Sequence, residues 1–149
     1  MKRILITTLA AALLTPLAPA LANDASPVGL WKTIDDKSGK PRSLVRITES
    51  NGVLSGKIEK LFKEPGEDAN PKCDKCEDDR KDQPIIGMVF MKGLKKDGEE
   101  YNGGEILDPN NGKVYRSKIS LSDGGKKLNV RGYVGAPMFG RTQVWVRAE

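Results

Sequence analysis

The sequence predicts an all-β fold: an eight-stranded up-and-down antiparallel barrel with one long disulfide-bearing loop. Three observations lead there. Eight strand-like runs are separated by turn signals, and the connections have hairpin length in all but one place. The last run, Gly140–Arg147, carries Trp145 and Arg147, which answer Gly29-Leu30-Trp31 in the first. Two unpaired terminal strands would leave edge backbone groups open, and closure of the sheet removes them. A two-sheet sandwich is the alternative for the same strands.

The chain begins with a basic Met1-Lys2-Arg3, an apolar run to Leu14, and the A-x-A pattern Ala20-Leu21-Ala22. Residues 1–22 therefore read as a signal peptide cleaved on export, leaving residues 23–149 as a single domain. The uninterrupted apolar run of about 11 residues is shorter than the roughly 20 a bilayer requires. The chain is thus expected not to span a membrane, and its expected location is the periplasm. Loss of Lys2 and Arg3 lowers the formal charge from +5 to +3, with 23 basic against 20 acidic residues. So small and scattered an excess argues against nucleic acid as a partner.

Residues 30–36 form the first run, closed by Lys37-Ser38-Gly39-Lys40-Pro41. In residues 43–49, Val45 and Ile47 alternate with Leu44, Arg46 and Thr48. Asn51-Gly52 follows, the pair that a type I′ hairpin turn favours because both central residues need φ > 0. The third run, Val53–Leu61, puts Leu54, Gly56 and Ile58 on one face. Residues 63–82 then lose all periodicity and hold eight acids and five bases, together with Cys73 and Cys76. Runs at 85–94 and 100–107 flank Asp97-Gly98, and Asp108-Pro109-Asn110-Asn111-Gly112 leads into 113–121. Asp123-Gly124-Gly125 introduces the closing pair, 128–134 and 140–147.

Several of these segments together resemble a known family: Gly29-Leu30-Trp31, Gly103-Gly104-Glu105-Ile106-Leu107-Asp108-Pro109, Gly112-Lys113-Val114-Tyr115, Arg131-Gly132-Tyr133 and Gly140-Arg141-Thr142-Gln143-Val144-Trp145. In that order they look like the small exported bacterial proteins grouped as domain of unknown function 2147. The resemblance implies a lipocalin-like barrel and an envelope location, and no catalytic residue. Gly29-x-Trp31 with a late Arg147 also resembles the lipocalin pattern of a first-strand Trp packed on an Arg. The chain departs from that pattern in lacking a second disulfide and a terminal helix.

With no histidine, the chain has no Ser-His-Asp triad, Cys-His pair or imidazole metal site. No other acid–base pair stands out from the turns, so the expectation is a non-enzyme without cofactor or metal. Cys73-Asp74-Lys75-Cys76 has thioredoxin spacing, but the neighbouring Glu77, Asp78 and Asp79 disfavour a thiolate. A structural Cys73–Cys76 disulfide formed after export is the simpler reading. Glu77, Asp78, Asp79 and Asp82 lack the alternate spacing of a calcium loop and read as solvated charge.

The candidate ligand-binding residues are Trp31, Arg131, Tyr133, Gln143, Trp145 and Arg147. Arg131 and Tyr133 share one strand face, and Gln143, Trp145 and Arg147 share a face of the next. On the inside of an eight-stranded barrel they would contact a small amphipathic or anionic molecule, with arginine as charge partner. Facing solvent, they would leave the barrel filled by its own side chains. A second function class is a non-catalytic envelope module that meets another envelope protein through the 63–82 loop.

Overall fold

Eight strands follow one another around a closed antiparallel barrel in which each pairs with its sequence neighbour and the last pairs with the first. They are β1 (Gly29–Ile34), β2 (Pro41–Ser50), β3 (Val53–Leu61), β4 (Val89–Asp97), β5 (Glu100–Asp108), β6 (Lys113–Ser122), β7 (Lys127–Tyr133) and β8 (Gly140–Arg147). This computed structural model describes residues 25–149, and Ala12 in isolation. The expected leader and its cleavage site lie outside the described residues. Among those described, no helix is long and apolar enough to cross a membrane. The expected barrel is the observed one, and the sandwich is excluded by the β1–β8 ladder.

Local chemistry sets the turns. Asn51 and Gly52 both take positive φ, 52° and 78°, as a type I′ hairpin demands. After β1, the Asp35 carboxylate accepts hydrogen bonds from the Lys37 and Ser38 amides, each at 2.8 Å, and so fixes the chain reversal. Those bonds hold its pKa below the usual carboxylate value, the Ser38 amide contributing most. The fourth strand was expected from residue 85 and begins at Val89 instead. Gly87 has φ 91°, and the Met88 amide bonds back to the Ile85 carbonyl at 3.1 Å. The chain therefore makes a turn there before joining the ladder.

The up-and-down order places the β1–β2, β3–β4, β5–β6 and β7–β8 connections at one end of the barrel. The other end holds Asn51-Gly52, the β4–β5 and β6–β7 turns, and the C-terminus. Trp31, Val45, Ile47, Leu54, Met91, Leu94, Ile119 and Leu128 pack inside and are essentially inaccessible to solvent. Their alternation with exposed neighbours in β2 and β3 follows the period of two read from sequence.

One side chain locks the second end. The Arg147 guanidinium donates to the carbonyls of Ser26 (2.6 Å), Gly125 (2.8 Å), Val28 (3.1 Å) and Glu149 (3.3 Å). Its central carbon lies 4.3 Å from the Trp31 ring centroid, a cation–π stack. Trp31 itself donates its indole N–H to the Pro27 carbonyl at 2.7 Å. Desolvation lowers the Arg147 pKa from its ordinary value, though an arginine there keeps its charge. Gly29 is part of the same lock: a Cβ at this position would sit 2.8 Å from the guanidinium nitrogen, and its φ is +141°. Trp31→Ala is expected to cost about 3–5 kcal/mol in chemical denaturation. Arg147→Lys should cost about 2 kcal/mol, because an ammonium cannot reproduce the four-carbonyl fork. An Arg147→Lys midpoint equal to that of the parent would show that the lock carries no stability.

Candidate functional site

The interior narrows at the Arg147 end and opens at the other. Between the two lies a cavity of about 1000 Å³ that reaches solvent through the mouth formed by the odd-numbered connections. Its inner wall is apolar: Ile58, Leu61, Ile85, Phe90, Ile106, Leu107, Val130 and Trp145. Phe90 and Trp145 meet there with ring centroids 6.1 Å apart. Small or hydroxylated residues occupy several other lining positions, namely Thr33, Ser43, Gly132 and Gly140, and that leaves the space unfilled.

Polar groups are few inside and many at the rim. Thr33 and Ser43 share a 2.6 Å hydroxyl–hydroxyl hydrogen bond. The Trp145 indole N–H donates to Gln143 Oε1 at 3.3 Å. Asn111 donates to the Tyr115 hydroxyl at 3.0 Å. The charged residues of the lining are Lys40, Arg42, Lys63, Lys72, Lys75 and Arg141 against Asp35, Glu64, Glu67, Asp74 and Asp108. Several are already paired, including Arg42–Asp35 (3.4 Å), Lys40–Glu64 (3.6 Å) and Lys63–Glu67 (3.5 Å). The mouth therefore has almost no net sign.

The six residues singled out from sequence are not one cluster. Tyr133, Gln143 and Trp145 line the cavity. Trp31 and Arg147 belong to the closed end, below it. Arg131 is on the outer face of β7, where it donates to the Pro137 carbonyl (2.7 Å) and Thr142 Oγ1 (2.8 Å). Its neighbour Val130 takes the inward position, as the buried Leu128 two residues earlier requires. Sequence reasoning passed over Ile58, Phe90 and Arg42, although the period-two signal had put Ile58 on one face with Leu54 and Gly56. What period two cannot supply is a residue's height along the barrel axis.

Cys73 and Cys76 form the expected disulfide. They are buried and join the barrel core, although their loop is strongly charged. The loop is latched at several points. Cys73 exchanges backbone bonds with Asp82 and Gln83, both at 2.8 Å, and Lys72 pairs with Pro84. Gly112 of the β5–β6 turn touches the Lys75 backbone so closely that any Cβ there would overlap the Lys75 carbonyl, and its φ is +72°. Within the same loop Arg80 clamps Asp78, whose pKa falls to about 2. Among the described residues, no group of three or more His, Cys, Asp or Glu is placed to hold a metal ion.

Residues 29–147 match the model of a family described as an uncharacterized protein conserved in bacteria, DUF2147. The chain belongs to that family. A solved structure, protein HP1028 from Helicobacter pylori, is described as belonging to the lipocalin family. It superposes with a TM-score of 0.71 at 21% identity, covering 84% of each chain, a likeness of fold. No curated protein matches the chain.

The latched loop gives a direct test. Replacing both cysteines, Cys73→Ala with Cys76→Ala, should lower stability by about 2 kcal/mol, the ring being short, and keep the β-sheet far-UV spectrum. Full unfolding of the double variant would show that the barrel cannot close without the loop; an unchanged midpoint would show that the disulfide contributes nothing.

Proposed function

We propose that this DUF2147 protein is an exported, periplasmic, non-catalytic binder of a small amphipathic molecule. The observation that carries the reading is the cavity itself. An apolar inner wall of Ile58, Phe90, Val130 and Trp145 leads to a rim rich in polar and charged groups. Its volume of about 1000 Å³ suits a single small ligand. The apolar part would hold a hydrocarbon or ring system, and the rim would keep a polar head in contact with water. Gln143 is placed to offer its amide N–H₂ to that head, since its Oε1 already accepts from Trp145. The balanced charges at the mouth give no reason to require an anion, so amphipathic character, not negative charge, is the recognised property. The lipocalin-family likeness of the fold supports a binder.

Two measurements test this. Native mass spectrometry of protein purified from its own envelope should show a co-purifying small molecule that organic extraction releases. A cavity-filling Val130→Trp variant should lose it and should weaken binding of an amphipathic fluorescent probe more than tenfold, against roughly micromolar affinity for the parent. Parent protein that is empty and does not bind the probe rejects the reading. Export is tested separately: N-terminal sequencing of the processed form should read Asn-Asp-Ala-Ser, and retention of Met1 would reject cleavage after Ala22.

A further inference from the structure

The connection between β7 and β8 breaks the pattern of the rest of the surface. Val134, Met138 and Phe139 are 65%, 75% and 69% exposed, the most open large hydrophobic side chains among the described residues. From residue 134 to residue 140 the sequence Val-Gly-Ala-Pro-Met-Phe-Gly has no charge, in a chain of which 30% is charged. Exposed apolar groups gathered at one tip call for a partner, whereas single ones do not. The tip is also held in shape. Val134 donates its amide to the Phe139 carbonyl (3.2 Å), Phe139 to the Ala136 carbonyl (3.0 Å), and Arg131 to the Pro137 carbonyl (2.7 Å). Its apolar groups are therefore presented by a fixed turn.

We propose that the 134–139 tip is a docking lip that seats the barrel mouth on an anionic phospholipid surface. Charge placement selects this occupant. Arg131 and Arg141, the latter shared with Asp36 in an exposed ion pair, flank the tip on its two strands, at the level where lipid phosphates would lie if Met138 and Phe139 entered the headgroup–acyl boundary. The acidic 63–82 loop, with its eight acids and five bases, belongs to the β3–β4 connection. In a closed barrel of eight sequentially paired strands that connection lies diametrically across from β7–β8. Repulsion of the loop and attraction of the arginines orient the same edge toward a negative surface. A second copy of the chain fits less well, because the three side chains expose only roughly 300 Å², against ~800 Å² per partner in a stable protein interface.

The tip also adjoins a gap in the wall. β1 and β8 share two paired positions, Trp31 with Arg147 and Lys32 with Val146, and no others nearer the mouth. There Thr33 and Asp35 on one side face Gly140, Arg141 and Gln143 on the other, all of them lining the cavity. At the rim an Arg141–Asp36 ion pair of 3.5 Å spans this gap. A barrel docked by its tip would place the gap beside the lipid surface.

Vesicle co-sedimentation tests the proposal without any need for a cavity ligand. Exported protein, with the same N-terminus in every sample, is mixed with phosphatidylcholine vesicles with and without phosphatidylglycerol. The parent should bind the phosphatidylglycerol vesicles, and added salt should weaken that binding. A Met138→Asp, Phe139→Asp variant should lose more than tenfold in partitioning at an unchanged denaturation midpoint, whereas Val28→Asp at the opposite end should not. In a Phe139→Trp variant, brominated lipid should quench the new indole. Absence of binding by the parent, or equal binding by the tip variant, overturns the proposal. So does self-association lost with the tip variant when the parent ignores vesicles, which would give the tip to a second copy. Any of these results leaves the cavity reading intact.

Discussion

Closure of the barrel rests on Arg147. A guanidinium is the one side-chain group that can offer several donors in a rigid plane while stacking on an aromatic ring. Here it gathers the segment before β1, the β6–β7 turn and the C-terminus around Trp31, so that three parts of the chain distant in sequence share one charged centre. The β1–β8 ladder alone is too short to do this, with two paired positions where every other ladder has four or more. The lock therefore compensates for a weak seam, and it explains why Gly29 and Trp31 accompany Arg147.

Filling one end tightly is what leaves the other end empty. The large inward side chains Trp31, Ile47, Leu54, Met91, Leu94 and Leu128 are buried at or near the lock. Toward the mouth the inward positions include Thr33, Ser43 and Gly132, too small to meet across an eight-stranded barrel. The Cys73–Cys76 pair adds apolar contact where the strands supply little. In this arrangement the disulfide substitutes for missing core, and Lys72, Asp74 and Lys75 beside it line the cavity.

The sequence was most legible where geometry is local. Asn51-Gly52 announced its turn, and the alternation of Val45 and Ile47 announced a half-buried strand. Pairing of the two Trp-bearing strands was legible too, because Gly29-Leu30-Trp31 and Trp145-Val146-Arg147 carry complementary groups. The site was harder to see. Arg131 attracted attention as a cation beside an aromatic, but the apolar Leu128 and Val130 claim the interior of β7 and turn it outward. Arg147 shares the inner face of β8 with Gln143 and Trp145, yet height along the axis separates a structural lock from a cavity wall. That height depends on strand stagger, which arises from pairing among all eight strands and leaves no mark in any one of them.

The shortness of the seam bears on how the chain assembles. Seven of the eight ladders join neighbours in sequence, and all of these but β3–β4 are closed by short turns, hairpins that form at small cost in chain entropy. The eighth joins the two ends of the chain, pairing Trp31 with Arg147, whose side chain also reaches the Val28 carbonyl across 119 residues. With most of the barrel already in place, closing it is a late event, governed by a few contacts and not by a long zipper. Contacts made after the transition state act mainly on the rate of unfolding. The Arg147 cluster is then a latch in the kinetic sense: it contributes little to how fast the barrel is reached and sets how long it stays shut.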